Sequence, residues 1–373
     1  MEDPRKLDSI DAVRGLAVLG VVLLHCTQLI GPAGPFLSGL TGAGVRGVQL
    51  FYVASAFTLC RSWQFRSGRE ASPLRNFFLR RFFRIAPVFY VAIAAYLLLY
   101  GLSPREWAPW KVQGWHVVLT ALFLHGVHPD TINSVVPGGW SVTVEMTFYL
   151  CLPFVLRGVR GVRSAVAFGV VSIALAETSR QAILRLLLPL YPPDLQYVVR
   201  GFAFFNFFSQ LPVFAAGILA YFASQDLSRK RQATAAGVTV AAFAVASVFF
   251  PSPSIVWRNY MVIGVLFAIF VVLLGAVPTR VLVNRPIILL GRWSFSLYLA
   301  HFGVVEGFRR AGVIDAFRRA SGGWLLFFAA VLAVTSLLSF LTYTVVEQPG
   351  IRLGKRWIAA LEGRDAAVSG GLR

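Results

Sequence analysis

The amino-acid sequence predicts an all-α membrane protein, a polytopic bundle of about ten transmembrane helices with one short re-entrant or interfacial helix. Apolar residues make up 57% of the 373 residues, above the roughly 45–50% of a soluble globular protein. Charged residues make up only 14%, against about 25% in soluble proteins. A chain with so few charges cannot cover a soluble surface, and its apolar residues are grouped in long stretches.

Ten of these stretches are long enough to cross a bilayer, whose hydrocarbon core of about 30 Å requires roughly 20 apolar residues per helix. In chain order they are residues 15–31, 45–61, 85–102, 140–157, 164–179, 202–222, 233–250, 259–278, 294–309 and 323–346. An eleventh stretch, 115–126, is too short to cross and lies between Gly114 and Gly126. It is predicted to be the re-entrant or interfacial helix.

The basic residues indicate the orientation of the bundle. With the N-terminus inside and ten crossings, the inner segments hold 24 of the 35 Lys and Arg residues, as the positive-inside rule requires. We therefore expect an integral protein of the plasma (inner) membrane with both termini cytoplasmic. Four outer arginines fit this rule poorly and are expected to form an outer amphipathic helix: Arg309, Arg310, Arg318 and Arg319.

The chain is predicted to hold one transmembrane domain, residues 1–350, followed by a cytoplasmic tail, residues 351–373. Pro349 is expected to end the last span, and the tail to form a short surface helix. The net charge of +19 comes from loops between apolar stretches, so the expected partner is a lipid bilayer and not a nucleic acid. The cysteines lack metal-ligand spacing, and no metal site is expected.

Polar residues inside predicted spans are costly and mark candidate sites. His25 lies within LAVLGVVLLHC, and Arg14 precedes it by eleven residues. Eleven residues are about three helical turns, so both side chains share one face about 16 Å apart. One helix would thus present a cation at the membrane surface and an imidazole deeper in. The alternatives are a hydrogen-bonded interior histidine and an ordinary topology-setting arginine.

The segment RNFFLRRFFRIAP places five basic or helix-breaking residues at the inner end of the third span. Arg81 and Arg84 are three residues apart, so both guanidinium groups can point the same way at the start of a helix. Arginine binds phosphate through paired hydrogen bonds. The alternative is contact with lipid headgroups or control of topology.

Two further motifs place polar residues in later spans. In GGWSVTVEMTFYLCLPF, Glu145 follows Trp140 and Ser141. A carboxylate there must pair with a cation or face the bundle interior, as an ion pair with arginine, a partner for His25 or a contact to a sugar hydroxyl. In GRWSFSLYLAHF, the residues Ser294, Tyr298 and His301 recur at helical spacing, which indicates one polar stripe or a helix-packing seam.

Taken in order, these motifs resemble the acyltransferase-3 family of integral membrane O-acyltransferases. The matching pieces run from LDSIDAVRGLAVLGVVLLHC through RRFFRIAP, WSVTVEMTFYL and WSFSLYLAHF to VVEQPGIR, which covers nearly the whole chain. The second span departs from the family pattern, Phe-Ser-Gly-Phe. Ser55 is kept, but Ala56 stands where the family usually has glycine.

The resemblance implies transfer of an acyl group, usually acetyl, from cytoplasmic acyl-CoA to a hydroxyl of a carbohydrate or glycosylated acceptor. Acyl-CoA would be a co-substrate, and no other cofactor is expected. Such a transfer needs a base for the hydroxyl or a covalent acyl carrier, and histidine can serve as either. The site is expected to comprise catalytic His25 and Glu145, donor-binding Arg14, Arg81 and Arg84, and an acceptor or relay path of Trp140, Ser141, Tyr298 and His301.

Two other classes of function fit some of the same residues. In a proton-coupled transporter or flippase of a lipid or glycan, His25 and Glu145 would form a proton relay. A polyprenyl-linked glycosyltransferase would usually carry a large outer loop with acidic pairs, whereas the outer loops predicted here are short. Release of free CoA by purified protein separates an enzyme from a transporter.

Overall fold

The computed structural model describes residues 8–31, 44–226 and 256–370, and this part of the chain is helical. The helices are α1 (Asp8–Ile30), α2 (Gly47–Ser67), α3 (Pro73–Tyr100), α4 (Gly114–Ala121), α5 (Trp140–Gly158), α6 (Val162–Leu187), α7 (Gln196–Phe205), α8 (Phe207–Asp226), α9 (Val256–Ala276), α10 (Arg285–Arg292), α11 (Ser294–Arg310), α12 (Ile314–Arg319), α13 (Gly323–Thr342) and α14 (Gln348–Gly370). The predicted all-α class is confirmed.

Helices overlie nine of the ten predicted spans, and the remaining one, 233–250, lies outside the described residues. In the described part, five helical segments are long and apolar enough to cross a membrane: Asp8–Ile30, Pro73–Tyr100, Val162–Leu190, Pro193–Gln225 and Gly323–Arg364. The pair α10 and α11, bent by 80°, would make a sixth. These segments make the chain a multi-pass membrane protein, but they do not confirm the predicted number of ten.

The short eleventh stretch forms α4, which has 8 residues and is followed by a 3-10 turn, His125–Val127. A helix of that length is about 12 Å long, much shorter than the roughly 30 Å of a bilayer core. The stretch therefore does not cross as a helix, in agreement with the sequence. Its re-entrant or interfacial position stays a prediction.

Helix α1 packs against α2, α10, α11 and α13, and two glycines bring α1 and α10 into backbone contact. A Cβ added at Gly15 would overlap the carbonyl of Ile287, and one at Gly291 would overlap the carbonyl of Asp11. Small residues allow such close approach between membrane helices. Arg292 adds an ion pair to Asp11 at 3.3 Å. The position of α1, which carries Arg14 and His25, is therefore fixed from several sides.

The departure from the family pattern in α2 is matched by a glycine on α8. Ala56 is completely buried. A Cβ added at Gly217 would lie 2.7 Å from the Ala56 methyl and 2.6 Å from the carbonyl oxygen of Val53. Since Gly217 has no side chain, the extra methyl of Ala56 fits, and the neighbouring Ser55 keeps its place on the helix face.

The expectation that Pro349 ends the last span is wrong. A π-helical turn, Tyr343–Glu347, joins α13 directly to α14, and Pro349 lies in the first turn of α14. Inside a continuous helix a proline removes one backbone hydrogen bond and crowds the turn before it, and that turn is the π-helical one. Single π-helical turns often occur at functional sites, and this one buries the side chain of Glu347, which is 1% exposed.

The C-terminal helix α14 docks on α3. A Cβ at Gly354 would lie 2.7 Å from that of Phe83, so this glycine allows the two helices to touch. Farther along, the Glu362 carboxylate accepts hydrogen bonds from the backbone N–H of Ala71 and Ser72, at 3.0 and 3.1 Å. Its Oε1 also accepts from the Asn76 amide at 2.7 Å. These contacts cap the start of α3 from the far end of the chain.

We expect Gly354→Leu to displace α14 from α3. Overpacking of this kind costs about 1–3 kcal/mol, so the undocked population should rise by roughly tenfold or more. Limited trypsin digestion of the purified protein measures it as faster cleavage after Lys355 and Arg356. Gly363→Leu is the matched control, because a Cβ at Gly363 meets nothing within 4 Å. Equal cleavage rates in the two variants would contradict this packing.

Candidate active site

A polar cavity of about 70 Å³ lies between α1, α2, α3, α5 and α11. Its wall brings together six of the nine predicted site residues: Arg14, Arg81, Arg84, Ser141, Glu145 and Tyr298. They come from four helices that are far apart in the sequence. The cavity is therefore the candidate active site, and the three remaining residues, His25, Trp140 and His301, do not line it.

The arginines of RNFFLRRFFR fall into two kinds. Arg80 forms a two-pronged ion pair with Glu70, at 2.7 and 3.0 Å, and Arg75 lies in the α14 contact, 3.7 Å from Glu362. Arg81 and Arg84 line the cavity, and neither donates a hydrogen bond to any residue that the structure describes; the Nε of Arg81 is buried without a partner. Two guanidinium groups with unused donors are suited to bind an anion.

Glu145 supplies negative charge to the same cavity. Its Oε1 accepts hydrogen bonds from the hydroxyls of Ser55 at 2.6 Å and Tyr149 at 2.5 Å. The carboxylate is close enough to Arg14 and Arg84 for charge–charge interaction. It makes no hydrogen bond or ion pair with His25 among the described contacts. Of the options that the sequence left open, the structure thus favours a partner for arginines.

Tyr298 forms another part of the cavity wall. Its hydroxyl donates to the carbonyl of Gly138 at 2.9 Å and accepts from Ser141 Oγ at 3.0 Å. Gly138 has φ +75°, and a Cβ there would lie 2.8 Å from the Tyr298 hydroxyl. Only glycine combines this left-handed backbone with such a close approach. The GGW motif therefore holds the tyrosine hydroxyl in place.

His25 and His301 lie together beyond Tyr298. The two imidazole centroids are 5.2 Å apart, and His301 is 5.7 Å from the ring of Tyr298. His301 Nδ1 is 2.6 Å from the carbonyl oxygen of Tyr298, and His25 Nδ1 is 2.8 Å from Gln28 Oε1. A neutral imidazole that meets an accepting oxygen through Nδ1 carries its proton there and keeps a lone pair on Nε2. The Nε2 of His301 is buried and has no hydrogen-bond partner in the described structure.

The predicted polar stripe on α11 is present. Ser294 and Tyr298 line the cavity, and His301 follows on the same side of the helix. The stripe connects the arginines at one end to the imidazole pair at the other. His25 and His301 are thus not on the cavity wall itself but adjoin it through Tyr298.

Trp140 lies behind the wall. Its ring stacks on Phe205 at 4.3 Å and meets the edge of Tyr52 at 6.3 Å. Tyr52 lines the cavity, whereas Trp140 does not. The structure therefore places Trp140 as a packing partner of the wall, and direct contact with an acceptor would require a wider cavity.

Several contacts of the site were missed from the sequence. Tyr149 follows Glu145 by four residues and Gln28 follows His25 by three, so helical spacing could have found both. Phe302, which contacts the rings of His25 and His301 at 4.4 and 4.0 Å, has no such signal. In the described part, no group of three His, Cys, Asp or Glu side chains could hold a metal ion. The cysteines are free thiols, buried at Cys26 and Cys60 and half-buried at Cys151.

A multi-pass helical bundle with buried arginines, a carboxylate and an imidazole pair defines a membrane protein with an internal polar site. Residues 7–344 match the acyltransferase domain of the acyltransferase-3 family, and the chain belongs to that family. It is therefore a membrane acyltransferase, and a transporter is not favoured.

Three relatives illustrate the match. Acyltransferase MdmB of Streptomyces mycarofaciens is 27% identical over 94% of this chain and 93% of its own length. A protein named as a membrane-bound transacylase, BcsY of Komagataeibacter xylinus, is 26% identical over 96% of this chain and 86% of its own. Nodulation protein 10 of Rhizobium leguminosarum bv. viciae is 34% identical over 30% of this chain and 33% of its own. No solved structure matches.

Proposed function

We propose that the protein transfers an acyl group from cytoplasmic acyl-CoA to a hydroxyl of a carbohydrate or glycosylated acceptor, and that this acyl group is acetyl. The observation that carries this proposal is the pair of arginines, Arg81 and Arg84, whose donors are unused at the cavity. The family resemblance supports the donor and the acceptor class, since acyltransferase-3 enzymes act mostly on sugar hydroxyls.

The size of the cavity limits what can enter. Its volume is about 70 Å³, and on this measure one water molecule needs roughly 10–15 Å³. The cavity in this form admits a small acyl group but not a nucleotide. The anionic part of acyl-CoA would therefore stay at the arginine end, with the thioester directed towards Tyr298. Charge-assisted hydrogen bonds from Arg81 and Arg84 would hold its phosphates.

The imidazole pair supplies the groups that acyl transfer needs. In the base route, His25 Nε2 takes the proton of the acceptor hydroxyl while the hydroxyl oxygen attacks the thioester carbonyl carbon. The new C–O bond forms, the C–S bond breaks, and the imidazolium returns the proton to the leaving sulfur. In the carrier route, His25 Nε2 attacks the thioester carbonyl carbon, so that a C–N bond forms, the C–S bond breaks and CoA leaves as the thiolate. The oxygen of the acceptor hydroxyl then attacks the acyl-imidazolium while His301 Nε2 takes the hydroxyl proton; the C–N bond breaks, neutral His25 is restored, and the proton passes to the CoA sulfur.

We expect Arg81→Ala and Arg84→Ala to raise the KM for acyl-CoA by roughly 10–100-fold each, because each variant removes charge-assisted contacts worth about 1.5–3 kcal/mol. Steady-state kinetics with acetyl-CoA, followed by release of free CoA, measure the effect. Arg69→Ala is the control, because Arg69 lies in the turn between α2 and α3, stacks on Phe65 and does not line the cavity.

Two results would contradict the proposal. An unchanged KM in Arg81→Ala and Arg84→Ala, with normal protein levels, would favour contact with lipid headgroups. No consumption of any acyl-CoA by the purified protein, with endogenous acceptors present, would exclude acyl-CoA as the donor.

A further inference from the structure

A second cavity lies on the other face of α11. This groove, of about 600 Å³, runs between α3, α11 and α13. Its wall is almost entirely apolar and is lined on α3 by Ala92 and Leu99, on α11 by Gly303 and Gly307, and on α13 by Leu338. Glycine and alanine on two of the three helices leave the space that a hydrocarbon chain would fill.

The groove is longer than one leaflet of a bilayer. Along α11 its lining extends from Ser296 to Ala311, a rise of about 22 Å. Half of a bilayer core is only about 15 Å. The two tails of a glycerophospholipid each end near the midplane, so neither would fill the groove. A single chain that continues past the midplane would.

Arginines stand at the end of the groove near Ala311. Arg310 and Arg105 lie over the ring of Tyr100, with guanidinium-to-centroid distances of 5.4 and 5.2 Å. Arg309 and Arg310 share Glu306, at 2.7 and 2.6 Å. Because the three arginines carry three positive charges and Glu306 carries one negative charge, this end of the groove is positively charged.

These arginines keep donors for a ligand. Among the described residues, Arg310 donates a hydrogen bond only from its Nε, to Glu306, and a guanidinium has five N–H donors. The side chains of Arg309 and Arg310 are 58% and 48% exposed. They are two of the four arginines that the positive-inside rule does not explain, and a bound phosphate would explain their position.

We propose that this groove binds a lipid phosphate with one long hydrocarbon chain, with the chain along α11 and the phosphate at Arg310 and Arg105. The apolar wall and the length of the groove match the hydrocarbon chain. The positive charge at one end matches the phosphate. The inference concerns binding alone, so it does not depend on the proposed acyl transfer.

Photolabelling of the purified full-length protein in detergent tests the proposal, with a photoreactive polyisoprenyl phosphate as the probe. Labelled peptides should come from α3, α11 and α13. Unlabelled polyisoprenyl phosphate should compete, whereas dioleoylphosphatidylglycerol and inorganic pyrophosphate should not. Gly307→Phe should reduce labelling by about tenfold or more, because the ring would fill the groove; Arg310→Gln should weaken it as well.

Each variant has a matched control. A Cβ meets nothing within 4 Å at Gly307 or at Gly169, so Gly169→Phe makes the same change on α6, away from the groove. Arg180→Gln, also on α6, removes another ion-paired arginine. If Gly307→Phe is not recovered as folded protein, Ala311→Trp blocks the exposed end instead.

Three results would overturn the proposal. Equal labelling of the Gly307→Phe, or Ala311→Trp, and Gly169→Phe variants would show that the probe binds elsewhere. Competition by dioleoylphosphatidylglycerol would identify an ordinary surface for bilayer lipids. Competition by inorganic pyrophosphate would identify a phosphate site without a chain.

Discussion

His25→Gln is expected to lower acyl transfer by about 100-fold or more, with the protein still present in the membrane at the wild-type level. A glutamine can keep a hydrogen bond to Gln28, but its amide cannot take a proton or carry an acyl group. The measurement is transfer of labelled acetyl groups from acetyl-CoA to endogenous glycans in membrane vesicles. Since one uncharged polar side chain replaces another, insertion of the helix into the membrane should not change.

His116→Gln is the control for this variant, since His116 is another buried histidine but belongs to the short helix α4. If His25→Gln keeps most of the activity, His25 is a packing or hydrogen-bonding residue, and the chemistry must be sought at Glu145 or His301. Rapid quenching with acetyl-CoA and no acceptor separates the two routes, because only the carrier route accumulates an acyl-imidazole.

His301→Gln should also reduce acyl transfer by about 100-fold, because it removes the Nε2 that lies unpartnered beside His25. The glutamine amide can still donate to the carbonyl of Tyr298, so the fold should be kept. If the two imidazoles act in one proton path, His25→Gln combined with His301→Gln will be little worse than either change alone.

The pH–rate profile provides a second readout for His301. A relay that requires a neutral imidazole loses activity as that imidazole is protonated at low pH, and His301→Gln should remove the corresponding limb of the profile. An unchanged profile shape, or strictly additive losses in the double variant, would leave His301 as a structural residue.

The sequence predicted most of the helices because apolar length and arginine placement are local properties. The spacing of Arg81 and Arg84, and that of Ser294, Tyr298 and His301, correctly indicated side chains that share a face. The predicted number of crossings is not confirmed, since five or six of the described segments are long and apolar enough to cross and the predicted span 233–250 lies outside the described residues.

Contacts between distant helices could not be predicted in the same way. Glu145 was a possible partner of His25, yet the packing of α2, α3 and α5 places it among arginines, and α11 brings His301 to His25 instead. Pro349 was expected to end a helix because proline usually breaks a helix that it enters. That rule takes no account of the π-helical turn that precedes Pro349 here. The groove beside α11 has no motif, since it is defined by glycines and alanines on two helices.

The cap on α3 forms late during synthesis of the chain. The acceptor of the Ser72 backbone N–H is Glu362, 290 residues later, so α3 enters the membrane without its cap. The ribosome must translate Glu362 before the helix that carries Arg81 and Arg84 acquires this anchor. A nascent or prematurely terminated chain that lacks this end would still hold every residue of the candidate site, yet its donor-binding helix would start unanchored.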